Sequence, residues 1–91
     1  MKNFNIRELN SLNFKANESK PQKRTLNNLN IIAKGNTNAE LFDVVYGKFR
    51  GPKETVVLKG GESIQIQKGL YYSVKNKKDK DVRLGIDVYG N

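Results

Sequence analysis

Apolar and polar residues alternate with a period of two along most of the chain after Leu29. In DVRLGIDVYG, residues 81–90, every second residue from Val82 to Val88 is aliphatic. In ESIQIQK, residues 62–68, two isoleucines alternate with polar side chains. This alternation is typical of strands that bury one face. The same criterion predicts strands in LNIIAK at 29–34, ELFDVVYGKF at 40–49, ETVVLK at 54–59 and GLYYSVKN at 69–76.

These short segments predict an all-β fold. About five or six strands, separated by turn signals every 8–12 residues, indicate a small antiparallel β-sandwich, and we favour an immunoglobulin-like one. A five-stranded Greek-key barrel is the alternative. We expect the last two strands to form a hairpin around KKDK at 77–80, with Tyr72 and Val74 on its matching inner face. Gly60 and Gly61 are predicted to form another tight turn between antiparallel strands, because glycine adopts positive φ without strain.

Residues 1–28 predict an extended N-terminal arm, followed by a β-sandwich domain at 29–91. The segment NESKPQKR at 17–24 is polar, charged and interrupted by Pro21, which is typical of a linker. The apolar residues before it either dock on the chain's own core, which we favour, or reach a neighbouring subunit. We expect the domain to fold without residues 1–25. The predicted partner-binding residues of the arm are Phe4, Ile6, Leu9, Leu12, Phe14, Lys23 and Arg24.

The composition argues against an enzyme. The chain has 91 residues with no His and no Cys, so the commonest catalytic bases, thiol nucleophiles and zinc ligands are missing. No disulfide can form. Gly60 and Gly61 precede Glu62 and a strand, whereas a phosphate-binding loop precedes a helix. We therefore predict no catalytic residue, no metal and no cofactor.

The net charge of +8 suggests a further function. Aromatic and basic residues that alternate on strands can bind single-stranded nucleic acid. A nucleic-acid-binding small β-barrel is accordingly the alternative function, and an inhibitor of a host enzyme is a third class. The aromatic and basic residues that would form this surface are Tyr46, Phe49, Tyr71, Tyr72 and Tyr89, with Lys48, Arg50, Lys53, Lys68 and Lys75.

The segments LKGGESIQIQKG at 58–69, YYSVKN at 71–76 and DVRLGIDVYG at 81–90 resemble the small all-β auxiliary and decoration proteins of tailed bacteriophage capsids. The resemblance implies a non-enzymatic virion accessory protein, made in the host cytoplasm and bound in many copies to major capsid or other virion subunits. In that role the protein would stabilise the assembly of larger subunits and be anchored in part by its arm. We expect no signal peptide and no membrane partner, since no apolar run approaches the length of about 20 residues that a membrane helix needs.

Overall fold

The computed structural model describes residues 11–89 and contains eight β-strands and, within those residues, no helix. No helix of residues 11–89 is therefore long and apolar enough to cross a membrane. The strands are β1 (Ser11–Phe14), β2 (Ser19–Arg24), β3 (Asn28–Lys34), β4 (Glu40–Gly47), β5 (Lys53–Lys59), β6 (Ser63–Ile66), β7 (Tyr71–Asn76) and β8 (Val82–Tyr89).

The strands form two four-stranded antiparallel sheets, with the orders β1-β8-β3-β6 and β2-β7-β4-β5. The predicted all-β architecture with two antiparallel sheets is confirmed. The pairing is nested, since β1 pairs with β8, β2 with β7, β3 with β6 and β4 with β5. The chain consequently changes sheet at every connection except the one between β4 and β5. This topology is a jelly roll, and immunoglobulin-like connectivity is not observed.

The predicted hairpins at both glycine-rich and lysine-rich turns are wrong, although all six predicted strands exist. β7 and β8 lie in different sheets, as do β5 and β6 on either side of Gly60 and Gly61. A hairpin signal reports only the local turn, whereas the pairing of each strand depends on distant partners. Tyr72 and Val74 do lie on the inner face, opposite Val44 and Tyr46 of β4.

Two further strands occupy the region in which the sequence predicted an arm. β1 pairs with β8, and the Phe14 side chain is only 1% exposed. Its ring meets that of Phe42 edge-on, with 5.2 Å between centroids, so it joins the two sheets across the core. β2 is an edge strand whose register shifts between Lys20 and Lys23, which accommodates Pro21. Residues 11–28 thus lie within the sheets and their connections, whereas Phe4, Ile6 and Leu9 lie outside the described residues.

The core lies between the two sheets and is built almost entirely from the inward positions of alternating strands. Ile31 and Ala33 of β3 and Leu84 of β8 are fully buried in one sheet, and Phe42 and Val44 of β4 face them from the other. The remaining buried apolar residues are Phe14, Leu29, Leu41, Leu58, Ile66, Val74 and Val82.

Asn76 is a fully buried polar residue that joins two connections between the sheets. Its amide nitrogen donates to the main-chain oxygens of Phe14, Lys15 and Lys80, at 3.2, 3.0 and 2.9 Å. Its side-chain oxygen accepts the Lys78 amide at 2.9 Å. The β1–β2 and β7–β8 connections, which lie side by side in the nested topology, are thereby held together through one side chain.

Thr25 likewise joins the β2–β3 and β6–β7 connections through hydrogen bonds. Its hydroxyl lies 3.0 Å from the main-chain oxygens of both Gln67 and Leu70, and its amide donates to Leu70 at 2.9 Å. The Gly69 amide in turn donates to the Thr25 carbonyl at 3.1 Å. Thr25 is 2% exposed, so these bonds satisfy polar groups that water does not reach.

The Gly60–Gly61 turn joins the β3–β4 and β5–β6 connections through hydrogen bonds. The Glu62 amide donates to the Lys59 carbonyl, and the Glu62 carboxylate accepts the Lys59 amide, both at 2.9 Å. Gly61 has φ of +87°, which favours glycine. The Gly60 amide donates to the carbonyl of Ala39, just before β4, and the Gly61 amide donates to the carbonyl of Ala33, near the end of β3. A side chain at Gly60 would collide with the main chain of Asn36.

We expect Asn76→Ala to lower the free energy of unfolding by about 1–3 kcal/mol, because it leaves buried carbonyl oxygens without a donor. The matched control is Asn13→Ala, which removes only a surface hydrogen bond to Asp81 and should change stability by no more than about 0.5 kcal/mol. Chemical denaturation of both variants measures the difference. Equal stabilities would contradict the structural role of Asn76.

Deleting residues 1–25 should abolish cooperative unfolding, contrary to the expectation from sequence. The deletion removes β1, β2 and the buried Phe14, and loss of a core aromatic side chain alone costs about 3–5 kcal/mol. A small domain has only about 5–15 kcal/mol of stability. Thermal unfolding followed by circular dichroism provides the test, and a sharp transition in the truncated chain would contradict it.

Gly60→Ala should destabilise the protein more than Gly61→Ala. At Gly60 the added methyl group meets main-chain atoms that cannot rotate away, and overpacking of this kind costs about 1–3 kcal/mol. At Gly61 the nearest atom to such a methyl group is 3.8 Å away, so only the positive φ is unfavourable. Thermal denaturation ranks the two variants, and the reverse order would show that the Gly60 turn can move.

Candidate functional site

An open groove lies between β1 and β2, which are edge strands of the two sheets. Its volume is about 280 Å³, and a smaller adjoining hollow of about 80 Å³ shares part of its lining. We call the two together the edge groove. The apolar residues that line it are Leu12, Phe14, Pro21, Leu26, Leu29, Tyr72, Val74, Leu84, Ile86 and Val88.

The edge groove forms where the inner faces of the two sheets are incompletely covered. On β8, Val82 and Leu84 are buried, whereas Ile86 and Val88 on the same face are only half-buried. Leu12 on β1 is 38% exposed even though it points toward the same side as the buried Phe14. Apolar surface therefore reaches solvent in one continuous depression, which is a common feature of binding sites.

The charged residues that line the edge groove are all basic. They are Lys20, Lys23 and Arg24, and none of the described lining residues is acidic. Lys20 is paired with Glu18 at 3.3 Å and lies 4.8 Å from the Phe14 ring centroid. The side chains of Lys23 and Arg24 form no ion pair or hydrogen bond with any residue in the range 11–89.

Tyr72 supplies a polar group within the apolar lining. Its side chain is half-buried, and burial raises the pKa of its phenol above the ordinary value. A tyrosine phenol is protonated at neutral pH, and burial reinforces this, so the hydroxyl can donate a hydrogen bond. No hydrogen-bond partner of its hydroxyl is found among residues 11–89.

The structure brings four of the predicted partner-binding residues together at the edge groove: Leu12, Phe14, Lys23 and Arg24. The Phe14 side chain is buried, so it contributes mainly to the core. Tyr72 and Ile86 were missed by sequence reasoning as site residues. Alternation placed both on an inner face, but only the jelly-roll topology places them beside β1 and β2. A role for these residues in partner binding stays a prediction.

The predicted aromatic and basic surface is divided among different parts of the molecule. Phe49 and Tyr71 pair at 4.8 Å between centroids, with the Arg50 guanidinium 5.4 Å from the Phe49 ring. Phe49 is 53% exposed. The Lys53 ammonium donates to three main-chain oxygens of the β4–β5 loop, which orders that loop.

The other members of that predicted surface lie elsewhere. Tyr46 donates to the Glu54 carboxylate at 3.1 Å, which raises the pKa of Tyr46. Tyr72 lines the edge groove, and the side chain of Tyr89 lies outside the described part of the chain. Lys68 and Lys75 are exposed on separate strands or turns. No continuous strip of aromatic and basic side chains results among the described residues.

A wide basic cleft of about 510 Å³ lies at the opposite connections, next to the β7–β8 loop. Its charged lining residues are Lys34, Lys78, Lys80, Asp81 and Arg83. None of its described lining residues is aromatic, so these residues provide charge without a surface on which a base could stack. Within residues 11–89, no three His, Cys, Asp or Glu side chains gather in an arrangement that could hold a metal ion.

Comparisons with known proteins match the fold but no sequence family. No protein-family model matches the chain, and no curated protein matches it either. Drosophila melanogaster CENP-C, in a structure bound to CAL1, matches with a TM-score of 0.75 and 22% identity, over 87% of this chain and 62% of that one. The Schizosaccharomyces pombe Cnp3 cupin domain matches with a TM-score of 0.66 and 22% identity, over 87% and 50%. A Bordetella pertussis cupin domain matches with a TM-score of 0.59 and 16% identity, over 88% and 78%.

The chain spans between 56% and 62% of the Drosophila chains that it matches. The predicted resemblance to phage decoration proteins is wrong, because the matching structures are cupin domains of CENP-C and Cnp3, which are centromere proteins, and of a bacterium. The predicted virion function, capsid partners and virion or host-cytoplasm location are wrong with it. Capsid proteins and cupins share jelly-roll architecture, so a strand pattern cannot separate them. The fold of this chain is that of the cupin domains.

Proposed function

We propose that this chain is a non-enzymatic protein-interaction domain that holds a segment of a protein partner in the edge groove. The observation that carries the proposal is an open apolar groove whose described charged residues are all basic. The fold supports it, since a CENP-C chain with this fold has been seen bound to CAL1. The proposed partner is a protein with a segment that fits into the edge groove.

The chemistry of the described residues favours binding over catalysis. The chain lacks His and Cys altogether. The pKa of Glu18 is lowered because its carboxylate accepts the Lys15 amide and the Lys20 ammonium, which closes the turn after β1. The Asp43 carboxylate lies 3.3 Å from the Lys77 ammonium, which also approaches Glu40. The carboxylates of Glu18, Glu40 and Asp43 are thus engaged in ion pairs with lysines at the surface.

The edge groove can supply binding energy because its apolar lining is partly in contact with water. Covering such surface contributes about 25 cal/mol for each Å² of apolar area removed from water. Leu12, Tyr72 and Ile86 would become fully buried under a bound segment. Residues at the centre of such contacts usually contribute most of the affinity, while the charged rim contributes orientation.

We expect Leu12→Asp to reduce retention of the protein partner by about tenfold or more, because it places a carboxylate in the apolar lining. Immobilised wild-type protein and variants are exposed to extract from the source cells, and the retained proteins are quantified by mass spectrometry. The control is Thr55→Asp, an exposed position on the edge strand β5.

The proposal requires at least one protein that the wild type and Thr55→Asp retain and Leu12→Asp loses. Circular dichroism and thermal unfolding establish that both variants are folded. If no retained protein depends on Leu12, the edge groove is not the site of protein interaction, and the proposal fails.

A further inference from the structure

We infer, resting on the proposed function, that the segment held in the edge groove combines apolar side chains with carboxylates that pair with Lys23 and Arg24. The inference comes from the distribution of donors and acceptors around the groove. The inference specifies the charge and polarity of the bound segment, which the shape of the groove does not determine.

The lining separates into an aliphatic floor and a basic rim. Leu12, Leu29, Ile86 and Val88 provide the floor from the β1-β8-β3 side of the sandwich. These side chains favour aliphatic or aromatic groups of a ligand and cannot compensate a buried charge. The part of the ligand that enters the groove is therefore apolar.

The rim is formed by β2, and its register determines where the charges lie. Lys23 is paired with Tyr72 and Arg24 with Tyr71 across the β2–β7 ladder. Lys23 thus stands next to the one tyrosine that lines the groove, whereas Arg24 borders the groove from the next position of β2, beside Tyr71 of the opposite face. β2 is an edge strand, so both cations also face the solvent from which a partner must approach.

Among the cations of residues 11–89, only Lys20 and Lys77 have an internal counter-charge, and Lys23 and Arg24 are the unpaired ones that line the edge groove. Lys77 lies within 3.3 and 3.6 Å of two carboxylates, and Lys20 lies 3.3 Å from the Glu18 carboxylate. Among residues 11–89, Lys23 and Arg24 have no such partner. Two neighbouring positive charges beside an apolar floor favour a ligand that brings negative charge to the rim.

The charged groups at this side of the groove are donors only, whereas Tyr72 and the neutral residues Asn27 and Ser73 can both donate and accept. The Lys23 ammonium, the Arg24 guanidinium and the protonated Tyr72 hydroxyl can each donate a hydrogen bond. A carboxylate accepts hydrogen bonds only, and it matches guanidinium with two parallel bonds. Asp or Glu side chains next to apolar residues of the bound segment satisfy both the rim and the floor.

A protein segment fits the edge groove better than a nucleic acid does. Bases bind through stacking on aromatic side chains, and the lining of this groove is aliphatic apart from Tyr72 and Phe14, of which Phe14 is only 1% exposed. The pair of exposed Phe49 and half-buried Tyr71 lies on the other face of the sheet, because the neighbouring residues Tyr71 and Tyr72 point to opposite faces. Phosphate would match the rim but would leave the floor exposed to water.

A displayed library of random 12-residue peptides tests the inference with the intact chain. Peptides enriched on the wild-type protein should carry at least two apolar residues and a net negative charge. One enriched peptide is then synthesised, and its dissociation constant is measured at low and at physiological salt. We expect the double variant Lys23→Glu/Arg24→Glu to weaken binding by about tenfold or more, with the wild-type affinity falling as salt rises.

The matched control is Lys78→Glu/Lys80→Glu, which makes the same change in net charge at the basic cleft on the other connections. It should leave the affinity within about twofold, because exposed charges more than about 10 Å apart are largely screened at 0.1 M salt. If both double variants weaken binding equally, net charge and not the rim is responsible, and the inference is overturned.

Two further outcomes separate this inference from the proposed function. Enriched peptides that are neutral or basic, lose binding with Leu12→Asp and ignore Lys23→Glu/Arg24→Glu would overturn the acidic partner while supporting the groove. A failure to enrich any peptide that depends on Leu12 would contradict both. If a single-stranded oligonucleotide binds, and the same rim variant abolishes that binding, the site belongs to nucleic acid and the inference is overturned.

Discussion

The structure depends on the hydrogen bonds that hold neighbouring connections together where the chain passes between the sheets. The chain changes sheet at six of its seven connections, and each change interrupts a ladder of backbone hydrogen bonds. The groups released there need new partners if they are buried. Asn76 supplies four hydrogen bonds at one pair of connections. Hydrogen bonds of Thr25 and of the Gly60–Gly61 turn join the other two pairs. Each of the three pairs of nested connections is therefore held together by hydrogen bonds.

The same topology creates the edge groove. Nesting places β1 and β2 at the edges of the two sheets, where each has a single neighbour among the strands of residues 11–89. β1 has four residues and β2 is interrupted around Pro21, so neither can close the side of the sandwich as a long regular strand would. Apolar residues of β7 and β8 are left partly exposed between them. The groove is thus a consequence of the short β1 and the interrupted β2.

Function in this fold depends on the side chains that occupy the open side of the sandwich. Jelly rolls serve capsids, lectins and cupins, so the architecture carries little functional information. In this chain the open side combines an aliphatic floor, a neutral tyrosine hydroxyl and two cations without a counter-charge among the described residues. The proposed binding of a protein segment rests on that combination.

Sequence alone determined the secondary structure of β3 to β8, because apolar and polar residues alternate there and glycine or proline marks the turns. It also indicated the inward face of the last two strands, including Tyr72 and Ile86. It did not reveal β1 and β2, because SLNF is short and SKPQKR is polar with a central proline. Those strands exist because β8 and β7 offer them open edges, and because Phe14 is buried against Phe42. The pairing of strands 60 or more residues apart and the groove were decided by tertiary structure, since alternation specifies a face and contains no information about which distant strand will cover it.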